Sequence, residues 1–475
     1  MPVSPARAAA FEILLRIETT DAYASELLHS ARFAKLSPAD HGLLTELVMG
    51  VLRWRGLLDD KIAHHHRRRS ADRPTSGEIT ALVAKAATAT RTGRALAKLD
   101  LEVLTALRLG AYQILFLDRI PRHAAVNESV DLVKRARKRS AAGMVNAVLR
   151  KISNSHFSQK REEVRHPSFD DRSAHPAWLV ERWQRAYGVE VANSICEYNQ
   201  SVPQVVVRTT SHRGPAAPIR AAGASNEGIQ LDPGRLLANA AIVTRGDISQ
   251  TAAFREGRVV IQDEASQLVA LLVGHGKSIL DCCAAPGGKT RIMAERNPKA
   301  TVAAMDLHPH RATLLRRLVP DPSIQVVTAD ALQMPFAINF DRILVDAPCS
   351  GTGTLARNPE IKWRLKPQDI LRLQAYQIEI LTAAMNHLAK GGRIIYSTCS
   401  LEPEENEAVI EKAVSPTSFR VVDCGDELRR LARDGELIWG DVESLLSGPY
   451  LRTIPGVHPC DGFFAAVLER LWPGA

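Results

Sequence analysis

An α/β architecture with a parallel sheet is predicted for the last two hundred residues of this 475-residue chain, preceded by a helical bundle and a small α/β module. Three observations predict it. In the C-terminal part short apolar runs alternate with longer helical stretches, as strands joined by crossover helices do. Through about residue 150, apolar side chains recur at helical spacing in several segments joined by short polar turns. Between these parts lie a polar stretch without period, Lys151 to His175, and then a β-branched run, Val205 to Thr210.

In the bundle, Leu44, Leu47, Val48, Val51 and Leu52 follow the i, i+3, i+4, i+7, i+8 pattern, and Val145, Val148, Leu149 and Ile152 follow it in part. These are core stripes. The basic runs Arg67 to Arg69 and Lys134 to Arg139 lie outside them and can reach a phosphate backbone without disturbing the core. His64, His65 and His66 are successive and lack the i, i+4 geometry of a ligand pair, so no metal site is expected. The smaller module, to about residue 265, opens with an amphipathic helix around Trp178 to Tyr198 and carries a Gly/Ala/Pro-rich loop near 213 to 224. Its aromatic content is too low for a base-stacking platform.

Charge is segregated along the chain. The net charge is +9, yet residues 1 to 165 hold 28 Lys plus Arg against 17 Asp plus Glu, and the remainder holds 33 against 35. A basic module that holds a polyanion beside a nearly neutral reaction site is expected to look like this. Arg7, Glu12 and Arg16 interrupt the first apolar run, so no signal peptide is read there, and no apolar stretch is long enough to span a bilayer. Seven cysteines without a secretory signal argue for reduced thiols in a cytoplasmic setting.

Strands are expected at Ser278 to Asp281, Val302 to Asp306, Ile324 to Thr328, Arg342 to Asp346 and Arg393 to Ser397, with a last one, Phe463 to Glu469, at the sheet edge. Ligands of such a sheet bind outside the carboxyl ends of the strands at the topological switch point. The segment Asp281-Cys282-Cys283-Ala284-Ala285-Pro286-Gly287-Gly288-Lys289-Thr290 follows the first strand and leads into a helix beginning near Thr290. Its small residues let a ligand approach the backbone. The spacing is neither that of a phosphate loop nor Gly-x-Gly-x-x-Gly, which leaves a cofactor without pyrophosphate. Asp306 is placed for ribose hydroxyls and Asp330 for an adenine amino group, and S-adenosylmethionine fits all three features. Cys282 and Cys283 are adjacent, poor geometry for zinc or a disulfide, and read as packing beneath the loop.

Cys349 and Cys399 sit at strand ends, after Asp346-Ala347-Pro348 and Ser397-Thr398. The fourth and fifth strands are neighbours in this topology, so both thiols can face one pocket beside the cofactor. Such chemistry has a use: carbon 5 of cytosine is not nucleophilic until something adds to carbon 6, and a thiolate can add.

The sequence resembles the Sun/RsmB family of rRNA cytosine-5 methyltransferases over essentially its whole length. Leu107 to Gln113, Pro121 to Glu128 and Gly143 to Arg150 look like that family's NusB-like bundle; Gln262 to Ser266, Cys283 to Lys289, Asp346 to Ser350, Asn358 to Trp363 and Ser397 to Ser400 look like its core motifs. The resemblance implies an all-α NusB-like RNA-binding domain over 1–155, a small α/β RNA-binding module over 170–265, and a Rossmann-like methyltransferase domain over 266–475. It implies that Cys283, Ala284, Ala285, Pro286, Gly287, Gly288, Lys289, Asp306, Asp330 and Asp346 contact S-adenosylmethionine. Cys399 would then be the nucleophile, Cys349 would assist release, Asp346 would also bond the cytosine ring nitrogen, and Lys289 would supply a nearby positive charge. Thr354 to Trp363 would line the RNA side. The implied partner is small-subunit (16S) ribosomal RNA, naked or partly assembled, bound by a monomer with no metal and no membrane. Three rivals stand beside this reading: a tRNA cytosine-5 methyltransferase, a non-catalytic NusB-like RNA-binding factor, and a DNA cytosine methyltransferase in which Cys349 attacks.

Overall fold

The computed structural model describes residues 3–33, 35–67, 96–155, 174–210 and 228–471. Arg68 and Arg69 of the first basic run, most of the polar stretch after Lys151 and the loop near 213 to 224 lie outside the described residues. The chain divides into two units: Met1–Arg185 with Asn199–Ser201 and Ala356–Arg364, and Ala186–Tyr198 with Val202–Leu355 and Leu365–Ala475.

The first unit is built on the helices Pro5–Thr19, Pro38–Arg67, Leu101–Phe116, Arg122–Arg135 and Ala142–Asn154. Both predicted stripes are core: Leu44, Leu47, Val48, Val51 and Leu52, like Val145, Val148, Leu149 and Ile152, are all buried. Arg108 is buried with them, and its charge is matched. Arg108 grips Asp59 with two bonds, Nε to Oδ1 at 2.7 Å and Nη2 to Oδ2 at 2.8 Å, the planar fork that a guanidinium offers a carboxylate. At the end of the Arg122–Arg135 helix, Arg137 takes a left-handed conformation with φ 63°. Its N–H donates to the Lys134 carbonyl, and that of Lys138 to the Val133 carbonyl, closing the helix in the manner usually left to glycine.

Residues 356–364 complete this unit. Lys362 Nζ donates to the Arg53 and Ala174 carbonyls at 3.0 and 3.1 Å, and Trp363 Nε1 to the Leu52 carbonyl at 2.7 Å. Arg364 Nη2 takes the Ile17 and Ala22 carbonyls, and Glu360 Oε1 accepts the Ala24 N–H at 2.8 Å. Glu360 and Lys362 are each 1% exposed, so for them the expectation of an RNA-lining strip is overturned. Lys362 spends its ammonium on two backbone carbonyls, and one Glu360 oxygen takes the N–H left over where the Ala24–Leu28 helix begins.

In the second unit a four-stranded antiparallel sheet contains β1 (Val205–Thr209), β2 (Gln230–Pro233), β3 (Ala240–Arg245) and β4 (Val259–Ile261), in the order β2-β3-β1-β4. The helix expected around Trp178 to Tyr198 is two, Ala177–Tyr187 and Val189–Gln200, separated by Gly188 at φ 85°.

The larger sheet has a parallel centre of β5 (Ser278–Asp281), β6 (Thr301–Asp306), β7 (Ile324–Thr328), β8 (Phe340–Asp346) and β9 (Leu388–Thr398), ordered β9-β8-β5-β6-β7. Ile279, Leu280, Ile343, Leu344, Val345, Ile394 and Ile395 are fully buried, and runs without alternation are what a sheet covered on both faces requires. The helices Gly288–Arg296, Pro309–Leu318 and Pro367–Asn386 make crossovers. The last strand was expected at the edge. It is internal instead, because β10 (Phe419–Val422), β11 (Leu446–Ser447) and β12 (Tyr450–Thr453) extend the sheet past it: β13 (Phe463–Arg470) pairs antiparallel with β9 on one side and with β12 and β10 on the other. Among the described residues no helix is long and apolar enough to cross a membrane.

Candidate active site

The strand order reverses between β5 and β8: from β5 the chain moves to β6 and β7 on one side, and from β8 to β9 on the other. At this switch point the carboxyl ends bring together Asp281, Asp346 and the two thiols. Asp346 is in register with Ser397, and the Ala347 N–H donates to the Ser397 carbonyl at 2.8 Å. The loops leaving β8 and β9 therefore start side by side. Cys349 Sγ and Cys399 Sγ lie 3.3 Å apart. The hydrogen bond to Cys399 pushes the Cys349 thiol well above the usual range, and burial and the neighbouring charges of Cys399 and Glu405 push the same way.

Beside the thiols, Lys289 Nζ meets Asp346 Oδ2 at 2.8 Å while Ser397 Oγ donates to Asp346 Oδ1 at 2.7 Å. The same ammonium lies 5.1 Å from the centre of the Phe463 ring. Burial alone would lower the Lys289 pKa, but the charge and hydrogen bond of Asp346 outweigh it and the net shift is upward, with Cys399 and Asp281 adding to it. Lys289 is a fixed cation between the loop after β5 and the thiols.

That loop is shaped from behind. Gly287 has φ 110°, and a Cβ there would lie 2.4 Å from Leu315 Cδ1 and 2.6 Å from Val319 Cγ2. The left-handed backbone, with Leu315 and Val319 of the 309–319 segment packed against it, therefore favours glycine here independently of any ligand. Asp306 is buried at the end of β6, its Oδ1 accepting the His308 N–H at 3.1 Å and its Oδ2 the Ala285 N–H at 3.3 Å. Asp330 Oδ1 accepts the Leu332 N–H at 2.9 Å, which closes a turn and leaves the residue half-buried. Cys282 is buried and Cys283 half-buried, and burial pushes both thiols up, as small apolar packing groups would be.

Asp281, the acid that ends β5, belongs to the site although the resemblance implies cofactor contacts only from Cys283 onward. It is 1% exposed, Thr290 Oγ1 donates to its Oδ2 at 2.7 Å, and no donor is placed on its Oδ1. Burial raises this acid to about 7, with the Asp346 charge adding and Thr290 and Lys289 opposing. An orphaned buried carboxylate oxygen at a strand end suits a ligand that brings a donor, an ammonium above all. Without ligand the native chain keeps this proton up to about pH 7, whereas the unfolded chain releases it near 3.8. Between those values the native state binds more protons, so stability falls as pH rises, by at most about 1.4 kcal/mol per pH unit. Asp281→Asn is expected to flatten that slope in urea unfolding curves taken from pH 4 to 8; a slope equal to that of the unaltered protein would refute the assignment.

A cavity of about 480 Å³ lies at the other ends of the strands, bordered by Arg208, His275, Glu295, Arg296 and Glu436 among others. Arg208 pairs with Glu295 and Arg296 with Glu436, so the cavity carries no excess charge to recruit an ion. Among the described residues no group of three or more His, Cys, Asp or Glu side chains could hold a metal.

Comparison with known proteins agrees with this architecture. Residues 268–469 match the family model 16S rRNA methyltransferase RsmB/F, residues 4–87 and 79–154 match the NusB family, and residues 175–246 match the RsmF/B-like ferredoxin-like domain. The chain is 32% identical over 496 aligned residues to the probable ribosomal RNA small subunit methyltransferase B of Bacillus subtilis (strain 168), covering 99% of this chain and 100% of that protein. It is 31% identical to the ribosomal RNA small subunit methyltransferase B of Vibrio cholerae, covering 98% and 97%. Among solved structures, PH0851 shares the fold with a TM-score of 0.72 at 22% identity, over 98% of this chain and 99% of that one. A methyltransferase homolog protein from Pyrococcus horikoshii matches with a TM-score of 0.52 at 26% identity, over 64% and 100%. With full-length relatives above 30% identity and a NusB-type bundle, a ferredoxin-like module and a methyltransferase fold in that order, the chain belongs to the ribosomal RNA small subunit methyltransferase B family.

Proposed function

We propose that the protein transfers a methyl group from S-adenosylmethionine to carbon 5 of a cytosine in small-subunit ribosomal RNA, with Cys399 as covalent nucleophile and Cys349 as its partner. The observation that carries the reading is the pair of thiols 3.3 Å apart beside the Lys289–Asp346 ion pair. S-adenosylmethionine, when bound, supplies an electrophilic methyl group. The residues present fit it: Asp281 offers a buried oxygen in want of a donor, Asp306 and Asp330 follow the next two strands, and 283–289 form the loop between. The domain bounds 1–155, 170–265 and 266–475 describe the division of labour in this proposal, with a monomer acting on naked or partly assembled RNA.

The chain's own groups divide the work. Cys399 Sγ adds to carbon 6 of the cytosine, which makes carbon 5 nucleophilic. Asp346, held by Ser397 and Lys289, stands where it can bond the ring nitrogen, and Lys289 provides a cation in electrostatic reach of Cys399. Cys349 takes its part afterwards. Its thiol is held up chiefly by the hydrogen bond to Cys399, and that restraint ends once Cys399 sulfur is bonded to the base. Cys349 can then release its own proton to solvent and, as a thiolate, take the carbon 5 proton; the electron pair left on carbon 5 expels Cys399 as the thiolate that began the cycle, and Cys349 is again a thiol.

The RNA side of the proposal rests on the first unit. Arg135, Arg137 and Arg139 are exposed, and Arg137 keeps a long cationic side chain at a backbone position that favours glycine. A target base must leave its stack to reach the thiols, at a cost of roughly a few kcal/mol that an unpaired RNA segment reduces.

The test is bisulfite sequencing of small-subunit ribosomal RNA from a strain lacking the protein and from the same strain carrying it. One cytosine is expected to resist conversion only when the protein is present. Identical conversion patterns would overturn the proposal, and a protected cytosine in transfer RNA alone would redirect it to that substrate.

A further inference from the structure

The two thiol loops are tied together by a residue that reacts with nothing. Ser350 directly follows Cys349 and Ser400 directly follows Cys399. Both hydroxyls donate to a single oxygen, Oε2 of Glu405, that of Ser400 at 2.5 Å, and the two hydroxyls lie 3.0 Å from each other. The other oxygen, Oε1, accepts the Ser350 N–H at 2.8 Å and Gln377 Nε2 at 2.9 Å. Gln377 Nε2 also donates to the Pro348 carbonyl at 2.9 Å, on the other flank of Cys349. The Glu405 backbone is pinned in turn, since Tyr396 OH donates to its carbonyl at 2.6 Å. Asn406 extends the grip, with Nδ2 on the Ser400 carbonyl at 2.9 Å and Oδ1 receiving Thr398 Oγ1 at 2.6 Å.

Glu405 is fully buried, and its four hydrogen bonds come from neutral donors rather than from a cation. A buried carboxylate without a counter-charge is costly, and a fold that merely needed to fill this space would do better with an apolar side chain. Of the partners of its carboxylate, Ser350 and Ser400 directly follow the two thiols, and Gln377 also bonds the carbonyl of Pro348, directly before Cys349.

We propose that Glu405 is a positioning residue for the thiol pair: one carboxylate, gripping the serine after each cysteine, fixes the separation of Cys349 and Cys399 and sets its charge beside Cys349. The inference rests on the reading of these thiols as the reactive pair, and the charge part of its test is chosen to be read without turnover. The charge part is supported by the direction of the Cys349 shift, to which Glu405 contributes after the Cys399 hydrogen bond, burial and the Cys399 charge.

The experiment uses the full chain without RNA. The pH dependence of Cys349 alkylation by iodoacetamide is followed by peptide mass spectrometry in Glu405→Gln and Glu405→Asp, with folding checked by thermal melting. Glu405→Gln keeps the shape and removes the charge, and is expected to move the Cys349 midpoint down by about half a pH unit. Glu405→Asp keeps the charge and shortens the clamp, and is expected to move it less. Equal shifts in the two, or none in Glu405→Gln, overturn the charge part. The positioning part is read from a double-mutant cycle of Ser350→Ala and Ser400→Ala, which leave Glu405 in place and stand in should either glutamate variant fail to fold. Acting through one carboxylate, the two changes are expected to be non-additive by about tenfold or more in single-turnover methyl transfer, with S-adenosylhomocysteine affinity changed less than threefold. Additive losses overturn the clamp. Absence of methyl transfer by the unaltered protein would count against the proposed reaction, while the alkylation result would still decide the role of Glu405.

Discussion

Replacing Cys399 with alanine is expected to abolish methyl transfer, by a factor of about 10⁴ or more, and to leave no covalent protein–RNA complex on a denaturing gel. Replacing Cys349 is expected to do something different: methyl transfer stops after one event and the covalent complex accumulates. The asymmetry follows from the geometry. Both sulfurs lie within 3.3 Å of each other, so either could reach a base that the other reaches. They differ in their surroundings, since Cys399 is the thiol that interacts with the Lys289 cation while Cys349 adjoins the Ser350–Glu405 clamp and is held protonated. On the proposed reading the nucleophile is the sulfur with the Lys289 cation in electrostatic reach, and the proton acceptor is the one whose restraint lifts when its neighbour becomes a thioether. A complex trapped by the Cys399 variant and absent from the Cys349 variant would reverse the two roles and bring back the arrangement in which the Pro-Cys motif attacks.

The parallel centre of the sheet was legible because its strands carry short apolar runs that end in an acid or a small polar residue, even at the edge, where β7 is only partly buried. β5 and β7 fall on Ser278–Asp281 and Ile324–Thr328 as their patterns predict. The three strands around β13 were not legible, because Leu446–Ser447 and Tyr450–Thr453 are too short to display a period, and the place of β13 inside the sheet depends on them. Cys349 and Cys399 were legible as strand-end residues on neighbouring strands. Glu405 was not. It sits among Glu402, Glu404 and Glu407, a run that in sequence resembles a solvated acidic stretch, and only the fold reveals that Glu402 and Glu405 are buried. Glu360 and Lys362 failed in the same way. A charged motif suggests solvent or RNA, and nothing local shows that backbone carbonyls from distant helices wait for the lysine. Residues whose role depends on non-local partners are those for which sequence patterns carry least information.

The second large effect is expected at Gly353, which has no reactive group at all. Its N–H donates to the Cys399 carbonyl at 2.9 Å, and its carbonyl accepts the Gly462 N–H at 2.8 Å, so the loop of one thiol is fastened to the backbone of the other and to the turn before β13. A Cβ at Gly353 would lie 2.1 Å from the Gly462 carbonyl oxygen and 2.8 Å from its Cα. Both are backbone atoms, which cannot rotate away as the end of a side chain can. Gly353→Ala must therefore push the Cys349 loop away from the turn before β13 or break the bond from the Gly353 N–H to the Cys399 carbonyl. Overpacking of this kind costs about 1 to 3 kcal/mol in stability, and a displacement of roughly 1 Å at the reacting groups costs about 10² in rate. Gly462→Ala supplies the comparison from the other side of the same contact: its Cβ would lie 2.8 Å from Leu401 Cδ2, 2.9 Å from Gly353 Cα and 3.0 Å from Pro455 Cδ, a milder clash than the 2.1 Å approach at Gly353. Single-turnover methyl transfer is expected to fall about a hundredfold in Gly353→Ala and clearly less in Gly462→Ala, with S-adenosylhomocysteine binding retained in both. If Gly353→Ala keeps full activity, or Gly462→Ala is the more damaged, the thiols are not held in place through this backbone contact and the Glu405 clamp must act alone.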